Sequence, residues 1–193
     1  MTRPREFDED HVLAQAMRVF WQHGFAGASM SMLTKSMGLT KSSLYQAFES
    51  KEKLFELANA RYHKEIVWVR LAAFAHDTPK KIAQSLLIGN AELLSSEFNP
   101  AGCLDTNAAL SSGSEGERII ERIVKSRRGF HKLLKIRLDE ALTAGVLPGG
   151  MSTSDAASYL ITFTLGMSVE AKSGATRAEL EAMARSALFS WPD

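Results

Sequence analysis

Residues 24–55, GFAGASMSMLTKSMGLTKSSLYQAFESKEKLF, constrain the fold of this chain more than any other segment. Apolar residues recur at helical spacing until Gly38 interrupts the pattern, as expected where a helix ends. Thr40 is a favourable cap for a second short helix, in which Leu44 and Phe48 lie one turn apart on the buried face. Two short helices joined by a tight turn are typical of a helix-turn-helix, whose second helix enters the DNA major groove.

The rest of the chain also follows the helical period, and the sequence has no β-hairpin signal. The other expected helices are one ending near Gly24, a long one after Ser50, one over about 80–98, a short one closed by Gly113, and three over about 115–144, 154–172 and 177–190. We predict an all-α protein of about nine helices. Its N-terminal three-helix unit, residues 1–52, holds the helix-turn-helix. The C-terminal helical bundle, residues 53–193, begins in the fourth helix, which is expected to link the two parts mechanically.

Composition narrows the class of protein. Of the 193 residues, 45% are hydrophobic and 23% are charged, so the chain can bury a core and disorder is not expected. The formal net charge of +1 leaves DNA binding open, because only local positive charge is needed. The single cysteine forbids an internal disulfide and favours a reducing compartment. The N-terminus lacks a signal-peptide pattern and no apolar run reaches roughly 18 residues, so we expect a cytoplasmic protein with no membrane partner.

Polar side chains cluster on the second short helix and at the entrances of its neighbours, where folding alone does not explain them. A positive charge at a helix N-terminus, such as that of Lys41, interacts unfavourably with the helix dipole and costs about 0.3–1 kcal/mol. A phosphate bound there would be attracted both by the lysine and by the helix N-terminus. Gln46 can form two hydrogen bonds to adenine, and serine hydroxyls can bind base edges or phosphates. The alternative is that these are ordinary solvent-facing residues. The predicted DNA-binding residues are Ser29, Thr40, Lys41, Ser42, Ser43, Tyr45, Gln46 and Lys51.

The same tract resembles the DNA-binding domain of the TetR family of bacterial transcriptional regulators. The matching residues are Gly24-Phe25, Ser29-Met30, Gly38-Leu39-Thr40-Lys41, Ser43-Leu44-Tyr45 with Phe48, and Ser50-Lys51-Glu52 followed by Leu54-Phe55. The resemblance implies a homodimer that binds a pseudo-palindromic double-stranded operator, usually as a repressor. It also implies that the C-terminal bundle dimerises and binds a small-molecule effector, whose identity the sequence does not indicate.

The last two predicted helices carry broad apolar surfaces, which must be buried against something. The rest of the bundle is too small to cover both helices fully, so a two-fold partner presenting the same surface is expected to complete a four-helix contact. The predicted dimer interface comprises Leu160, Phe163, Met167, Leu180, Met183, Ala184 and Ala187. The alternative is that these residues form the core of a monomeric bundle.

Other functions are less well supported by the sequence. We expect Cys103 to be a small buried apolar residue. The alternative is a redox- or electrophile-responsive thiol whose pKa is lowered at a helix N-terminus. The five histidines are scattered, each expected at the surface or in a cap, and no metal or cofactor is predicted. No catalytic motif is present, so an enzyme is not expected. A helical protein-interaction module without DNA binding would leave Lys41 and the exposed serine and glutamine side chains without a role.

Overall fold

The computed structural model describes residues 8–111, 116–142, 147–189 and 191. Within these residues it contains nine α-helices and no β-strand, which confirms the predicted all-α class. The helices are α1 (Glu9–Gly27), α2 (Met30–Met37), α3 (Lys41–Phe48), α4 (Lys51–Phe74), α5 (Pro79–Leu94), α6 (Leu104–Ser111), α7 (Glu117–Ala141), α8 (Thr153–Lys172) and α9 (Arg177–Ala187). No helix among the described segments combines the length and apolarity needed to cross a bilayer.

Side-chain caps start the helices where the sequence predicts them. The hydroxyls of Ser29, Thr40 and Ser50 each accept a backbone N–H group from three residues further along, at 3.1, 3.1 and 3.0 Å. Thr176 caps α9 in the same way and forms a reciprocal capping box with Glu179. A cap of this kind stabilises a helix by about 1 kcal/mol. Because these contacts are local, they position the short helices of the N-terminal unit independently of the bundle.

Two helices end earlier than expected. The chain leaves α5 at Leu94 rather than near residue 98, and the Ser95 hydroxyl there donates a hydrogen bond to the Ala91 carbonyl at 2.7 Å. Phe98, which extended the apolar pattern in the sequence, is 82% exposed because no core surface lies beside it. Helix α7 spans 117–141 instead of 115–144, and the predicted breakers at positions 113 and 145 lie outside the described residues.

An aromatic cluster joins α1 to the beginning of α4. The ring of Phe55 meets those of Phe20 and Phe25 edge to face, with centroids 5.1 and 5.5 Å apart. All three side chains are at most 3% exposed, and such ring pairs each add about 0.5–1.5 kcal/mol beyond the area they bury. Phe55 follows the domain boundary predicted after residue 52, so the N-terminal unit and the bundle share this core. The boundary itself stays a prediction.

Helix α6 forms a second connection between the N-terminal unit and the bundle, besides the predicted one through α4. The indole N–H of Trp21 donates to the Gly102 carbonyl, and the amide of Asn107 donates to the Trp21 carbonyl, both at 2.8 Å in buried surroundings. Nearby, Gly24 bends α1 with φ 69° and ψ −179°. A Cβ at Gly24 would lie 1.8 Å from Ser111 Oγ, so α1 and α6 approach closely only because this residue is a glycine.

The packing of α8 and α9 against α5 and α7 buries part of the surface that the sequence assigns to the dimer interface. Five of the seven predicted interface residues are buried within the single chain, at 7% exposure or less: Leu160, Met167, Leu180, Ala184 and Ala187. Their side chains are covered by α5 and the neighbouring helices of the same chain. Phe163 and Met183 are half-buried, and the outward apolar side chains of this region are Val169 and Phe189, 42% and 94% exposed. The interface of α8 and α9 therefore stays a prediction with a different set of residues.

Candidate nucleic-acid interface

The turn between α2 and α3 has the backbone of a helix-turn-helix. Gly38 is left-handed, with φ 65° and ψ 25°, and the N–H of Leu39 donates to the Thr34 carbonyl at 3.0 Å. No atom would lie within 4 Å of a Cβ at Gly38, so this glycine supplies a backbone conformation rather than a close contact. Leu39 packs half-buried against the core. The turn therefore ends at Thr40, and α3 begins at Lys41.

Helix α3 separates its apolar and polar residues onto opposite faces. Leu44 and Phe48 are buried, at 0% and 1% exposure. The side chains of Lys41, Ser42 and Gln46 are exposed and form no hydrogen bond or ion pair with the described residues. Eight residues of helix span about 12 Å, close to the width of the DNA major groove of about 12 Å. This polar face therefore has the dimensions and the free donors and acceptors that base-edge contacts require.

Three of the predicted contact residues also hold the helix starts. Ser43 is half-buried, and its hydroxyl lies 2.9 Å from Thr40 Oγ1, which in turn accepts the Ser43 N–H at 3.1 Å. The Ser29 hydroxyl accepts the Met32 N–H at 3.1 Å. A hydroxyl has one donor and two acceptor positions, so each keeps some capacity for a phosphate or base. Their DNA contacts stay predictions.

Lys51 and Tyr45 lie at the margins of this polar face. The Nζ atom of Lys51 is 4.7 Å from the centroid of the Phe25 ring, a cation–π distance, so the side chain is anchored at the start of α4. Tyr45 keeps 42% of its surface exposed, which agrees with the predicted half-buried ring.

The turn after α3 has a strained backbone conformation, and the residue types in this segment do not predict it. Among the described residues, Glu49 is the only non-glycine with a positive φ, at φ 65° and ψ −51°. The Ser50 N–H donates to the Phe48 carbonyl at 2.7 Å across it, which makes a γ-turn. Such a conformation costs about 1–3 kcal/mol. The turn joins α3 directly to the cap of α4.

A cavity of about 100 Å³ lies in the bundle among α4, α5, α6, α7 and α8. Its apolar lining comes from ordinary core residue types, which is why the sequence did not reveal it. Nine polar or reactive side chains share the wall with them: Tyr62, Arg70, Asn90, Cys103, Asp105, Thr106, Ser126, Arg127 and Thr164.

Cys103 directly precedes α6, as predicted. The redox alternative requires a lowered thiol pKa, whereas the pKa of Cys103 is raised. The Tyr62 hydroxyl donates to its sulfur at 3.2 Å, and its backbone N–H donates to the Ser168 hydroxyl at 2.9 Å. Burial raises the pKa of the Cys103 thiol and the nearby Asp105 charge adds to this, whereas the Tyr62 hydrogen bond lowers it only partly. The protonated thiol is therefore favoured, which makes Cys103 a poor nucleophile.

His63 is not a surface or capping residue as predicted, because it pairs with a carboxylate beside the cavity. Its Nε2 lies 3.1 Å from Asp105, and the Asn59 amide donates to the other carboxylate oxygen at 2.5 Å. Burial by itself would raise the pKa of Asp105, but the hydrogen bonds and charges of His63, Asn59 and Arg70 outweigh it and lower the pKa. In the part of the chain that the structure describes, no group of three or more His, Cys, Asp or Glu side chains is arranged to hold a metal ion.

Known proteins share this architecture over nearly the whole chain. The model of the tetR family of bacterial regulatory proteins matches residues 12–58. The transcriptional repressor ComR of Escherichia coli (strain K12) is 30% identical over 99% of this chain and 92% of its own length. A solved structure of the TetR family regulator CifR, a cysteine mutant complexed with 26-bp double-strand operator DNA, is 34% identical and covers 98% of this chain and 100% of that one, with a TM-score of 0.90. The reduced form of E. coli NemR, 22% identical with a TM-score of 0.73, shares the fold.

The similarity to ComR and CifR includes both the N-terminal unit and the bundle, so it extends well beyond the helix-turn-helix. It agrees with the capped α2–turn–α3 geometry and the exposed polar face of α3. The prediction of a transcription factor is confirmed over the enzyme and interaction-module alternatives. The chain belongs to the TetR family of bacterial transcriptional regulators and is a DNA-binding protein, not an enzyme.

Proposed function

We propose that this regulator is a ligand-responsive repressor that acts in the cytoplasm and binds a pseudo-palindromic operator as a homodimer. Ligand response is supported by one helix that contacts both the cavity and the DNA-binding unit. Helix α6 lines the cavity with Asp105 and Thr106, and holds α1 with Asn107. A ligand that displaces α6 must disturb the first helix of the DNA-binding unit.

Buried hydrogen bonds favour coupling between two discrete arrangements. Separating α6 from α1 would break the hydrogen bond between the Asn107 amide and the Trp21 carbonyl, and a buried group left unsatisfied costs about 1–3 kcal/mol. A ligand shifts the equilibrium only by as much as it prefers one arrangement. Because the coupling is reciprocal, operator DNA should weaken ligand binding by the same factor.

The polar face of α3 and the adjacent helix starts divide the work of DNA recognition. Gln46, Ser42 and Ser43 are assigned to base edges, where Gln can bond adenine with two hydrogen bonds. The assigned phosphate contacts are Ser29, Thr40, Lys41, Tyr45 and Lys51. Phosphate contacts supply affinity and base contacts supply sequence preference, so the two groups should respond differently to mutation.

The relatives support the repressor and operator parts of the proposal. ComR is named a repressor, and the CifR mutant is bound to a 26-bp operator duplex. That length is about two and a half turns of B-DNA, enough for two half-sites separated by one turn or more. Two copies of α3 related by a two-fold axis would read such a site.

The proposed dimer interface is the outward face of α8 with the end of α9. It includes Phe163, Gly166, Val169 and Phe189, and no atom would lie within 4 Å of a Cβ at Gly166, so a partner helix can approach closely there. Val169→Glu places a charge on this face without disturbing the core, and light scattering should then give the mass of one chain. Leu71→Glu, at a 62% exposed position on α4, is the matched control and should keep the mass of two. A dimeric Val169→Glu protein would contradict this interface.

Selection from a pool of random duplexes tests the function as a whole. The full-length protein should enrich an inverted repeat, and its affinity for the selected duplex should fall when one half-site is scrambled. Enrichment of sequences without two-fold symmetry would refute the dimeric operator. If the monomeric Val169→Glu protein binds the selected inverted repeat as tightly as the unmodified protein does, dimerisation is not needed for operator binding.

A further inference from the structure

We propose that the cavity in the bundle binds a small organic carboxylate, held at its anionic end by Arg70, Arg127 and Thr106. This inference rests on the proposed ligand response and names the chemical class of the ligand. The evidence lies in charged and polar groups on the cavity wall whose interactions within the protein are incomplete.

Arg70 is half-buried, and no carboxylate of the described residues is in direct contact with it. Its guanidinium lies over the Phe130 ring, 4.3 Å from the centroid, and no described group forms a hydrogen bond or ion pair with it. Two of the other half-buried arginines are paired: Arg61 contacts Glu65 at 2.8 Å, and Arg137 donates to the Phe74 carbonyl at 2.8 Å. Burial of an unpaired charge is unfavourable unless an anion arrives to compensate it.

The one carboxylate on the wall does not satisfy this arginine by direct contact. Asp105 accepts the Asn59 amide on one oxygen and lies 3.1 Å from His63 on the other. Desolvation lowers the pKa of Arg70, and the more distant charge of Asp105 offsets this only in part. The carboxylate of Asp105 is therefore used to join α4 to α6, and the guanidinium remains available to a ligand.

Two further groups on the wall complete an anion site. Arg127, also half-buried and without an ion pair among the described residues, adds a second guanidinium from α7. Thr106 is only 5% exposed, and its hydroxyl has no hydrogen-bond partner among the described residues apart from a weak interaction with the Cys103 thiol. Two guanidiniums and a hydroxyl donor match the planar, two-oxygen geometry of a carboxylate. With one carboxylate against two guanidiniums, the wall carries a net positive charge.

The rest of the wall is mostly apolar and determines which organic group the cavity can hold. It includes Ile66, Val69, Leu86, Leu94 and Ile161. The volume of about 100 Å³ is smaller than the apolar cavity of about 150 Å³ that accommodates benzene, so a short aliphatic or single-ring group fits with modest expansion. An inorganic anion would leave these apolar side chains uncovered, and a cation would be repelled by the guanidiniums.

Matched acids and amides test the charge requirement. Acetate, butyrate and benzoate are titrated into the full-length protein by calorimetry, each beside its neutral amide, at constant ionic strength. Butyrate and benzoate should bind at least about tenfold more tightly than butyramide and benzamide, because hydrogen bonds to charged groups are worth about 1.5–3 kcal/mol and 1.4 kcal/mol is tenfold. Equal affinity of acid and amide would overturn the inference, as would inorganic phosphate binding as tightly as benzoate.

Variants on neighbouring arginines locate the site. Arg70→Met and Arg127→Met should each weaken benzoate binding about tenfold or more, and Arg70→Lys should lose part of it, because lysine keeps the charge but not the planar fork. Arg128→Met, exposed on the same helix, is the matched control and should bind benzoate as the unmodified protein does. Circular dichroism confirms that each variant is folded. Loss of affinity in Arg128→Met equal to that in Arg127→Met would overturn the site.

Operator binding is measured on the same samples, so the two proposals can fail separately. If benzoate binds through Arg70 but does not release operator DNA, the carboxylate site stands and the ligand response fails. If no acid binds while the protein still recognises its inverted repeat as a dimer, the carboxylate inference fails alone.

Discussion

A methyl group added at Gly24 tests the contact between α1 and α6 most directly. The φ of 69° and ψ of −179° lie in a region nearly restricted to glycine, and a Cβ there would be 1.8 Å from Ser111 Oγ and 2.9 Å from the Asn107 carbonyl oxygen. The backbone conformation costs an alanine about 1–3 kcal/mol, and forcing an atom into a packed contact costs about 1–3 kcal/mol more. We therefore expect Gly24→Ala to lower the free energy of unfolding by about 2–6 kcal/mol.

Gly38→Ala is the matched control, because its φ of 65° is also positive but no atom would lie within 4 Å of the new Cβ. It should lose only the backbone contribution, about 1–2 kcal/mol. Urea denaturation followed by circular dichroism compares the two variants, with equal m-values showing that the denatured state is unchanged. Equal losses at the two glycines would refute the argument that α6 packs tightly against this point of α1.

A double mutant separates the packing from the backbone strain. Ser111→Gly removes the side chain nearest to the new methyl group, so the pair Gly24→Ala and Ser111→Gly should be less destabilised than the sum of the single variants, by roughly 0.5–3 kcal/mol. Strictly additive effects would mean that α1 and α6 move apart without cost. The proposed route from the cavity to the DNA-binding unit would then lose its support.

Further predictions concern the interface and the cavity wall. Gln46→Ala should weaken operator binding by about 1–3 kcal/mol and relax the preference at one base pair. Lys51→Ala should weaken binding to all duplexes and reduce the slope of log affinity against log salt by about one. Equal losses of affinity for operator and random DNA in Gln46→Ala would contradict the division between base contacts and phosphate contacts. Cys103→Ser should retain operator binding and ligand release, and a selective loss of response to an electrophile in that variant would overturn its structural role. The pKa of Asp105 is lowered in the folded protein, so its contribution to stability is present above its unfolded pKa of about 3.9 and is lost as pH falls through the lower folded value. Acid titration of unfolding should therefore show a decline below about pH 4 that Asp105→Asn reduces; an identical decline in both proteins would contradict the pairing with His63.

The sequence alone determined the local structure of the DNA-binding unit. Ser29, Thr40 and Ser50 cap the helices predicted for them, and Gly38 adopts the left-handed conformation expected after α2. Each of these features depends on residues within one helical turn, where side-chain chemistry and spacing decide the outcome. The same reasoning correctly placed Lys41 on the exposed surface of α3. It could not anticipate the positive φ at Glu49, since nothing local requires a glutamate to adopt it.

Only the tertiary structure decided what covers each apolar surface and which distant residues meet. Spacing identified apolar faces on α8 and α9, but Leu160 and Leu180 are covered by helices of their own chain, because a burial pattern does not specify the neighbour that provides the burial. Trp21 reaches Gly102 across 81 positions of sequence, and Arg70 meets the wall of a cavity whose apolar lining looks like ordinary core. Such contacts depend on how whole helices pack, and helix packing is determined by the complete set of side chains rather than by any local segment.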